Sequence, residues 1–327
     1  MSSRTVWSRL LRRKGTRPAL LLLVTVVLLS VLAPALPIPN PSEMQAGRSA
    51  LGPAPVWGLA EAAPLDELGE NHPLAVGVRR SLFGEGELQG LLGTDGLGRD
   101  LFSRILWGGR VSLLVGLLAT LVSALVGVAW GVIAGYLGGR VDQIMMRLVD
   151  VAYSIPFLFV VILLIAVLRD DEIAGHMRSL GLDRLSVLYI VIGAISWLTM
   201  ARVVRGQVLS IRSQPYVLAA EALGAGTRRI IRAHVLPNLW GLVVVYLTLT
   251  VPRVMLFEAF LSFLGLGVEP PGVSWGILAS EGLESLTPIG VSWWLVVFPG
   301  LALALTLGTL NALGDALRDA LDPRLVR

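Results

Sequence analysis

Six long apolar runs, separated by polar segments, constrain this chain more than any other feature of its sequence. They cover approximately residues 18–36, 111–136, 147–168, 186–204, 239–262 and 292–314. Each run is close to the ~20 residues that a helix needs to cross the hydrocarbon core of a bilayer. Because backbone N–H and C=O groups find no water in that core, helices are the spans that fit runs of this length. The sequence therefore predicts an all-α, polytopic membrane protein with six transmembrane helices.

The composition agrees with this prediction and excludes several chemistries. Hydrophobic residues make up 54% of the 327 residues and charged residues only 15%, which is too apolar for a soluble domain. The chain has no cysteine, so disulfides and thiolate metal sites are excluded. Lys14 is the only lysine, and it does not lie in the pattern of a nucleotide-binding P-loop. His-Glu-x-x-His does not occur either, so we predict no catalytic residue, no metal site and no cofactor bound by this chain.

Basic residues beside the first run predict the orientation of the chain. Lys and Arg accumulate on the cytoplasmic side of membrane proteins. We therefore predict a cytoplasmic N-terminus over 1–17, a first span over 18–36 and, after six crossings, a cytoplasmic C-terminus over 319–327. Most Lys and Arg residues fall in segments that this arrangement places inside, and 263–291, placed outside, has none. The alternative is a cleaved signal peptide, because residues 33–35, Ala-Pro-Ala, resemble a cleavage site.

The segment 37–110 is predicted to be extracytoplasmic and changes character along its length. Residues 37–90 contain much Pro, Gly, Glu and Asp and show little periodicity. Further on, Leu101, Ile105 and Leu106 share one face of a helix and Arg104 lies opposite them. That distribution is typical of a helix lying at the membrane–water interface. We therefore predict a short interfacial helix ahead of the second span.

A cationic stretch between the fourth and fifth runs, residues 216–238, is predicted to form two short helices with a break. We call it the 216–238 element. Its first half is rich in Ala and Leu, which favour helix, and Gly224 follows at a position where helices commonly end. Thr227 can cap a second helix that we expect to stop at Pro237. So ordered a segment between two spans indicates a docking surface; a solvated basic loop is the alternative.

Charges and prolines within the apolar runs mark further candidate positions. Arg253 and Glu258 lie in the fifth run, where a charged residue costs about 2.5–3.5 kcal/mol and should face protein or water. We predict that both lie along a translocation path; a structural ion pair or a snorkelling arginine is the alternative. Pro156 and Pro252 should kink the third and fifth spans.

Four stretches of the sequence, taken in order, resemble the permease subunits of bacterial ABC importers. The likeness is to the C-type permease of the dipeptide, oligopeptide and nickel branch, and it runs from about residue 92 to the end of the chain. The matching stretches are 93–95 with 97–100, the loop containing Ala219, Ala220, Gly224, Leu236 and Pro237, 258–267 with 270–271 and 274–276, and 315–319 with 321–324.

The resemblance implies a type I ABC importer permease fold, with a transmembrane domain over 111–318 and a cytoplasmic coupling loop over 205–238. In that family the loop, called the EAA loop, docks a coupling helix into an ATPase. The family's Glu is Leu218 here, and Glu221, three residues on, could present a carboxylate on nearly the same face. The residues so assigned to ATPase coupling are Ala219, Ala220, Glu221, Gly224, Arg228, Arg229, Leu236 and Pro237.

The resemblance also implies partners and a location. The expected partners are a homologous B-type permease, two ABC ATPases that carry the ATP and Mg, an extracytoplasmic solute-binding protein and membrane lipid, but no nucleic acid. The segment 37–90 could contact the binding protein. The expected location is the bacterial inner membrane. Peptides are the expected cargo, with nickel chelates and peptide-like antibiotics as alternatives. An ATP-independent secondary transporter is the alternative of a different class, although we find no inverted repeat.

Overall fold

Helices dominate the structure, a computed structural model that describes residues 10, 13, 15–59, 68, 70–168, 170–179, 184–268, 272–287 and 290–321. The predicted all-α class is confirmed, with two small antiparallel two-stranded sheets beside the helices. In chain order the elements are α1 (Thr16–Val31), β1 (Val56–Leu59), α2 (Pro73–Phe83), β2 (Gly86–Gln89), α3 (Leu101–Leu137), α4 (Gly139–Ser154), α5 (Phe157–Leu168), α6 (Asp171–Ser179), α7 (Arg184–Arg212), α8 (Pro215–Ala222), α9 (Thr227–Ile230), a π-helical turn (Ile231–Val235), α10 (Leu236–Phe263), α11 (Trp275–Glu284), β3 (Leu286–Thr287), β4 (Gly290–Val291) and α12 (Trp294–Leu321).

Within the described residues, four helices are long and apolar enough to cross a membrane. They are Leu101–Leu137, Tyr189–Arg212, Thr227–Phe263 and Trp294–Leu321. A fifth candidate is the pair α4 and α5, which bend by 81° at a short break. The first apolar run forms α1, which at 16 residues is shorter than the other candidates. The count of six crossings stays a prediction.

The break between α4 and α5 lies at the predicted proline. Ile155 leaves the helix with an extended backbone, at φ −82° and ψ 121°, and Pro156 follows it. The residue before a proline is disfavoured in the helical region, and proline itself has no N–H to donate to the preceding turn. The second predicted position, Pro252, lies inside α10 without interrupting it.

The structure differs from the prediction of a separate interfacial helix ahead of the second span. Leu101 instead begins α3, a single helix of 37 residues. The Asp100 carboxylate accepts a hydrogen bond from the backbone N–H of Ser103 at 2.8 Å and so satisfies one of the free donors at the start of the helix. Arg104 is buried together with Leu101, because it pairs with carboxylates of the protein and does not reach toward lipid headgroups.

The chain divides into two compact units. The first falls within Met1–Thr16, Val115–Val254 and Asn311–Arg327, and the second within Arg17–Leu114 and Met255–Leu310. In the first unit, α3 and α7 pack closely through glycines spaced four residues apart, Gly127, Gly131 and Gly135. A Cβ atom at Gly131 would lie 2.6 Å from the carbonyl oxygen of Ala201. Small residues at this spacing allow membrane helices to approach at backbone distance.

Ion pairs join α4 to α7 within the same unit. The guanidinium of Arg205 binds both carboxylate oxygens of Asp142, at 2.5 and 2.6 Å. Two turns along α4, Asp150 accepts a hydrogen bond from Arg202 at 2.6 Å. Arg202 also lies over the ring of Tyr153, 4.0 Å from its centroid. Asp150 follows Asp142 along α4, whereas its partner Arg202 precedes Arg205 along α7. The two helices therefore run antiparallel.

Two described residues that precede α1, Leu10 and Arg13, contact α12 in the first unit. Leu10 is buried against Ala316 and Ala320 of α12. The Arg13 guanidinium donates to the Asp319 carboxylate at 2.6 Å. This contact brings the residues that precede α1 to the end of α12.

The second unit contains a small substructure formed by the segment after α1. β1 and β2 pair antiparallel, with Val56 opposite Gln89 and Leu59 opposite Gly86. α2 precedes β2, and its Arg79 forms a buried ion pair with Glu87 at 3.0 Å. The predicted irregular character of 37–90 is therefore only partly right, because a helix and a hairpin form inside it.

Candidate functional site

The 216–238 element contains the predicted break between two helices. α8 ends at Ala222, and Gly224 follows with φ +83°, a conformation that glycine adopts without steric penalty. The N–H of Gly224 donates to the carbonyl of Glu221, and the N–H of Ala225 donates to that of Ala220. These two bonds form a Schellman motif, which satisfies carbonyls at the helix end and fixes the direction of the chain.

The second half of the element does not stop at Pro237, contrary to the prediction. The helix starts at Thr227, widens into a π turn over Ile231–Val235 and continues as α10 to Phe263. The N–H of Leu236 reaches back five residues to the carbonyl of Ile231. A π turn of this kind accommodates a proline, because it redirects the carbonyls that the proline ring would otherwise contact.

Buried side chains anchor the element to the long helices of the first unit. Val217, Ile230 and Val235 are all buried, in a cluster that includes Val208 and Ile211 of α7. Since apolar cores are close-packed, the element and the end of α7 form one rigid body.

Polar and aromatic contacts add to this anchoring. The ring of Tyr216 lies 5.8 Å from that of His234, centroid to centroid. The side-chain amide of Asn238 donates to the Tyr216 hydroxyl at 3.2 Å and to the carbonyl of His234 at 2.6 Å. These contacts hold the first helix of the element against the second.

The residues predicted for ATPase coupling lie on the outer surface of this body. All of them are exposed except Ala220, which is half-buried; they are Ala219, Ala220, Glu221, Gly224, Arg228, Arg229, Leu236 and Pro237. The structure adds Leu223, whose exposed fraction is 89%, and Leu218, which is also exposed. Arg232 is exposed as well and extends the cationic part of the surface. The surface thus combines small residues, two projecting leucines and a basic edge.

Leu223 was not among the predicted coupling residues. The signal was present in the sequence, since a leucine directly before the glycine that ends a helix is placed at the tip of the turn. In a predicted cytoplasmic segment, an apolar side chain at a tip has no lipid to contact. Such a position indicates a protein partner.

The two charges of the fifth run have different surroundings. Arg253 is exposed, and among the described residues no partner for its side chain is found. Glu258 is buried and belongs to the second unit. Its carboxylate accepts hydrogen bonds from Ser262 at 2.7 Å and from Ser112 at 3.2 Å. Glu258 therefore joins α10 to α3 within this chain, and its place along a translocation path stays a prediction.

The stretch around Trp275 completes the surroundings of Glu258. The Trp275 backbone N–H donates to Ser112 Oγ, and its ring N–H donates to the carbonyl of Ile105 at 2.9 Å. Residues 272–276 also match Gly-x-Ser-x-Gly, the pattern of a hydrolase nucleophile. Ser274, however, is buried and caps α11 by accepting from the N–H of Ile277 at 3.3 Å. The pattern here serves helix capping and packing.

A cluster of four charges lies in the same unit. Arg104 contacts Asp95 at 2.8 Å and Glu281 at 2.5 Å, and Arg99 contacts the same two carboxylates at 2.7 and 3.3 Å. Beside it, burial raises the pKa of the Asp100 carboxyl above its ordinary value, although the N–H groups of Ser103 and Gly90 oppose that shift. The cluster joins the 93–100 stretch to α11.

Comparison with known proteins identifies the family. The family described as "Binding-protein-dependent transport system inner membrane component" matches residues 127–327. The dipeptide transport system permease protein DppC of Bacillus subtilis is 48% identical over 235 residues, which is 72% of this chain and 69% of that protein. This chain belongs to the family of binding-protein-dependent inner membrane transport components.

Other members of the family are equally similar. The oligopeptide transport system permease protein OppC of Escherichia coli K12 is 48% identical over 232 residues, covering 71% of this chain and 72% of that protein. The OppC protein of Haemophilus influenzae is 46% identical over 232 residues, which is 71% of this chain and 70% of that protein. The suspected resemblance is therefore confirmed, as is a multi-pass permease of the inner membrane. Among the described residues no cluster of His, Asp and Glu that could hold a metal is found.

Proposed function

We propose that this chain is the permease subunit of an ATP-driven, binding-protein-dependent importer of peptides and forms half of its translocation pore. The names of the relatives, which specify dipeptide and oligopeptide transport, support peptides as the cargo. The observation that carries the proposal is the 216–238 element, an exposed and rigidly anchored surface on a chain that has no P-loop of its own. A homologous permease forms the other half, and two ATPases hold the ATP and Mg.

The element suits the transmission of force. Leu218 and Leu223 would enter an apolar groove of an ATPase, and the small side chains of Ala219 and Gly224 allow close approach. Arg228 and Arg229 would meet acidic groups at the edge of that groove. Since Val217 and Val235 are buried in the core of the first unit, movement of the docked ATPase would be passed to the helices and not absorbed by a loop.

We further propose six crossings with both termini in the cytoplasm. The contact of Arg13 with Asp319 requires an even number of crossings between them. The pairing of Asp142 with Arg205 likewise requires an even number of crossings between these two residues. It therefore favours α4 and α5 together as one crossing and α7 as the crossing back. With α1 counted, these contacts are consistent with six. Cysteine accessibility from each side of the membrane, which a cysteine-free chain permits, tests this topology.

A substitution at the tip of the element tests the coupling. Transferring a leucine side chain from water to an apolar groove contributes about 1.5–3 kcal/mol. Leu223→Ser should therefore weaken ATPase binding about tenfold to a hundredfold. It should leave membrane insertion intact, because Leu223 makes little contact within the chain. Co-purification of the ATPases and ATP-dependent peptide uptake into proteoliposomes are the measurements.

The matched control is Leu97→Ser, an exposed leucine in the segment predicted to be extracytoplasmic. This variant should retain the ATPases. Normal ATPase capture and uptake by Leu223→Ser would contradict the coupling role. Uptake that persists without ATPases and collapses with an ionophore would favour a secondary transporter. The cargo itself can be named by mass spectrometry of the ligand that co-purifies with the binding protein.

A further inference from the structure

Helix α2, in the segment after the first span, carries an apolar stripe that no described residue covers. The stripe consists of Leu74, Val78 and Leu82, whose exposed fractions are 86%, 50% and 68%. They are four residues apart, so at about 100° per residue they occupy an arc of about 80°. Three large apolar side chains on one exposed flank of an 11-residue helix require an explanation.

The other two flanks of α2 have different surroundings. Val76 and Arg79 are buried against the protein. Gly77, Arg80 and Ser81 form an exposed third flank, and around Gly77 a Cβ atom would meet only open space. A helix with one flank on protein, one apolar and one polar matches the division expected at a membrane surface, where the apolar flank enters the headgroup boundary and the polar flank stays in water.

Contacts fix the rotation of α2 about its own axis. Arg79 donates to the carbonyl of Ile38 at 2.9 Å and pairs with Glu87 at 3.0 Å, and both bonds are buried. Turning the stripe toward the protein would break them. The stripe is therefore held outward by the fold and is not a fluctuation of a loosely attached helix.

The position of α2 indicates what the stripe meets. Ile38 follows closely after the end of α1, and α2 packs against the short 3₁₀ turn Ala33–Ala35 that leaves this span. The last residues of the span expose Leu28, Val31 and Leu32, which lie in the run that must face lipid. The apolar stripe of α2 thus adjoins a lipid-facing surface at the level where the chain leaves the hydrocarbon core.

An aromatic residue marks the same level. Trp107, in the second turn of α3, packs against Val76 of α2 and lies 5.4 Å from the ring of His72, centroid to centroid. The guanidinium of Arg110 lies 4.6 Å above the Trp107 ring. Tryptophan is enriched at the membrane–water interface, where its ring lies at the level of the lipid headgroups.

We propose that α2 lies in the membrane–water interface of the leaflet at which α1 ends, with Leu74, Val78 and Leu82 in lipid. The sequence predicted an interfacial helix around Leu101, Ile105 and Leu106; this proposal gives that role to Pro73–Phe83. Anchored in this way, α2 holds the β1–β2 hairpin at a fixed height above the bilayer. The binding protein would then contact other parts of 37–90.

Environment-sensitive labelling tests this placement. The chain has no cysteine, so Leu74→Cys, Leu82→Cys and the control Gly77→Cys each give a single site for an NBD fluorophore. The labelled importer complex is reconstituted into phosphatidylcholine vesicles, and the signal of the complex with the unsubstituted chain is subtracted. NBD emission is then measured with two quenchers in separate experiments. One is a lipid that carries a nitroxide near the top of its acyl chain, and the other is iodide in the aqueous phase.

The two stripe positions should lose roughly half of their emission to the lipid nitroxide and resist iodide, since an interfacial helix buries its apolar face about 5–10 Å deep. Gly77→Cys should show the reverse. Equal quenching by iodide at all three positions would overturn the proposal. The proposal would also be overturned if labels at Leu74 and Leu82 resisted iodide only after the binding protein is added. The stripe would then be a docking site for that protein.

Discussion

The buried pair Arg79–Glu87 should determine whether α2 keeps its place. The two side chains are 1% and 2% exposed, and their closest atoms lie 3.0 Å apart. Arg79→Met leaves the Glu87 carboxylate buried, with Gln89 as its remaining side-chain donor. Removing one member of a buried pair costs about 3–5 kcal/mol, because the other charge keeps its desolvation penalty without compensation. That loss should accelerate hydrogen exchange of the α2 amides about 100-fold to 4,000-fold.

The double variant separates the charge effect from packing. In Arg79→Met/Glu87→Met no charge is left in the interior, and replacing a buried ion pair by apolar side chains is often close to neutral. We therefore expect the double variant to exchange more slowly than either single variant, with a coupling of several kcal/mol in the cycle. Hydrogen exchange by mass spectrometry in nanodiscs measures all four proteins.

The control is a shorter but exposed pair. Arg13 and Asp319 approach to 2.6 Å, yet their side chains are 47% and 50% exposed. Solvent screening limits such a pair to about 0–1 kcal/mol, so Arg13→Met should accelerate exchange near Asp319 less than about fivefold. The reasoning is refuted if Arg79→Met alters exchange in α2 by no more than this control, or if the double variant is as destabilised as the sum of the single variants.

Three further predictions concern single positions. Gly224→Ala should cost about 1–2 kcal/mol in the turn, because its φ is +83°, and should reduce ATPase co-purification, whereas Gly226→Ala, where the backbone has ordinary angles and open space, should not. Gly276→Ala should lower the yield of folded protein in detergent chromatography, since its Cβ would lie 2.6 Å from the backbone of a neighbouring helix; Gly241→Ala, with open space, is the control. Burial raises the pKa of Asp100, so the folded state binds its proton more tightly than the unfolded state. Stability from this group should therefore increase as pH falls from neutral toward its ordinary value of 3.8, and thermal unfolding of Asp100→Asn should lack that dependence.

The apolar helices and the break within the 216–238 element were largely predictable because their signals are local. Apolar length predicts spans. Gly224 predicts a helix end through its freedom to adopt positive φ, and Pro156 predicts a break through its missing N–H. Each inference needs only neighbouring residues. The helix end and the break agree with the structure to within two residues, since α8 ends at Ala222 and the α4–α5 break lies at Pro156. The span bounds agree less closely, since α3 begins at Leu101 and not at 111.

The positions that the sequence misjudged depend on partners distant along the chain. Arg104 was expected at a membrane surface, but it is buried because Glu281, 177 residues later, reaches it. The burial of Glu258 was likewise not predictable, because Ser112, which donates to its carboxylate, is 146 residues away. Its place along a translocation path stays a prediction. Pro237 was expected to end a helix, and a π turn carries the helix through it. Patterns among neighbouring residues cannot predict contacts with distant residues or a π turn that accommodates a proline.

The continuity of the helix that joins the 216–238 element to the fifth span has a mechanical consequence. From Thr227 to Phe263 the helix is continuous over 37 residues, so at 1.5 Å per residue the rod is about 55 Å long. A tilt of about 10° around its middle would displace each end by about 5 Å. Under the proposed coupling, a modest push on the 216–238 end of this helix becomes a movement of its other end comparable to the width of an extended peptide backbone.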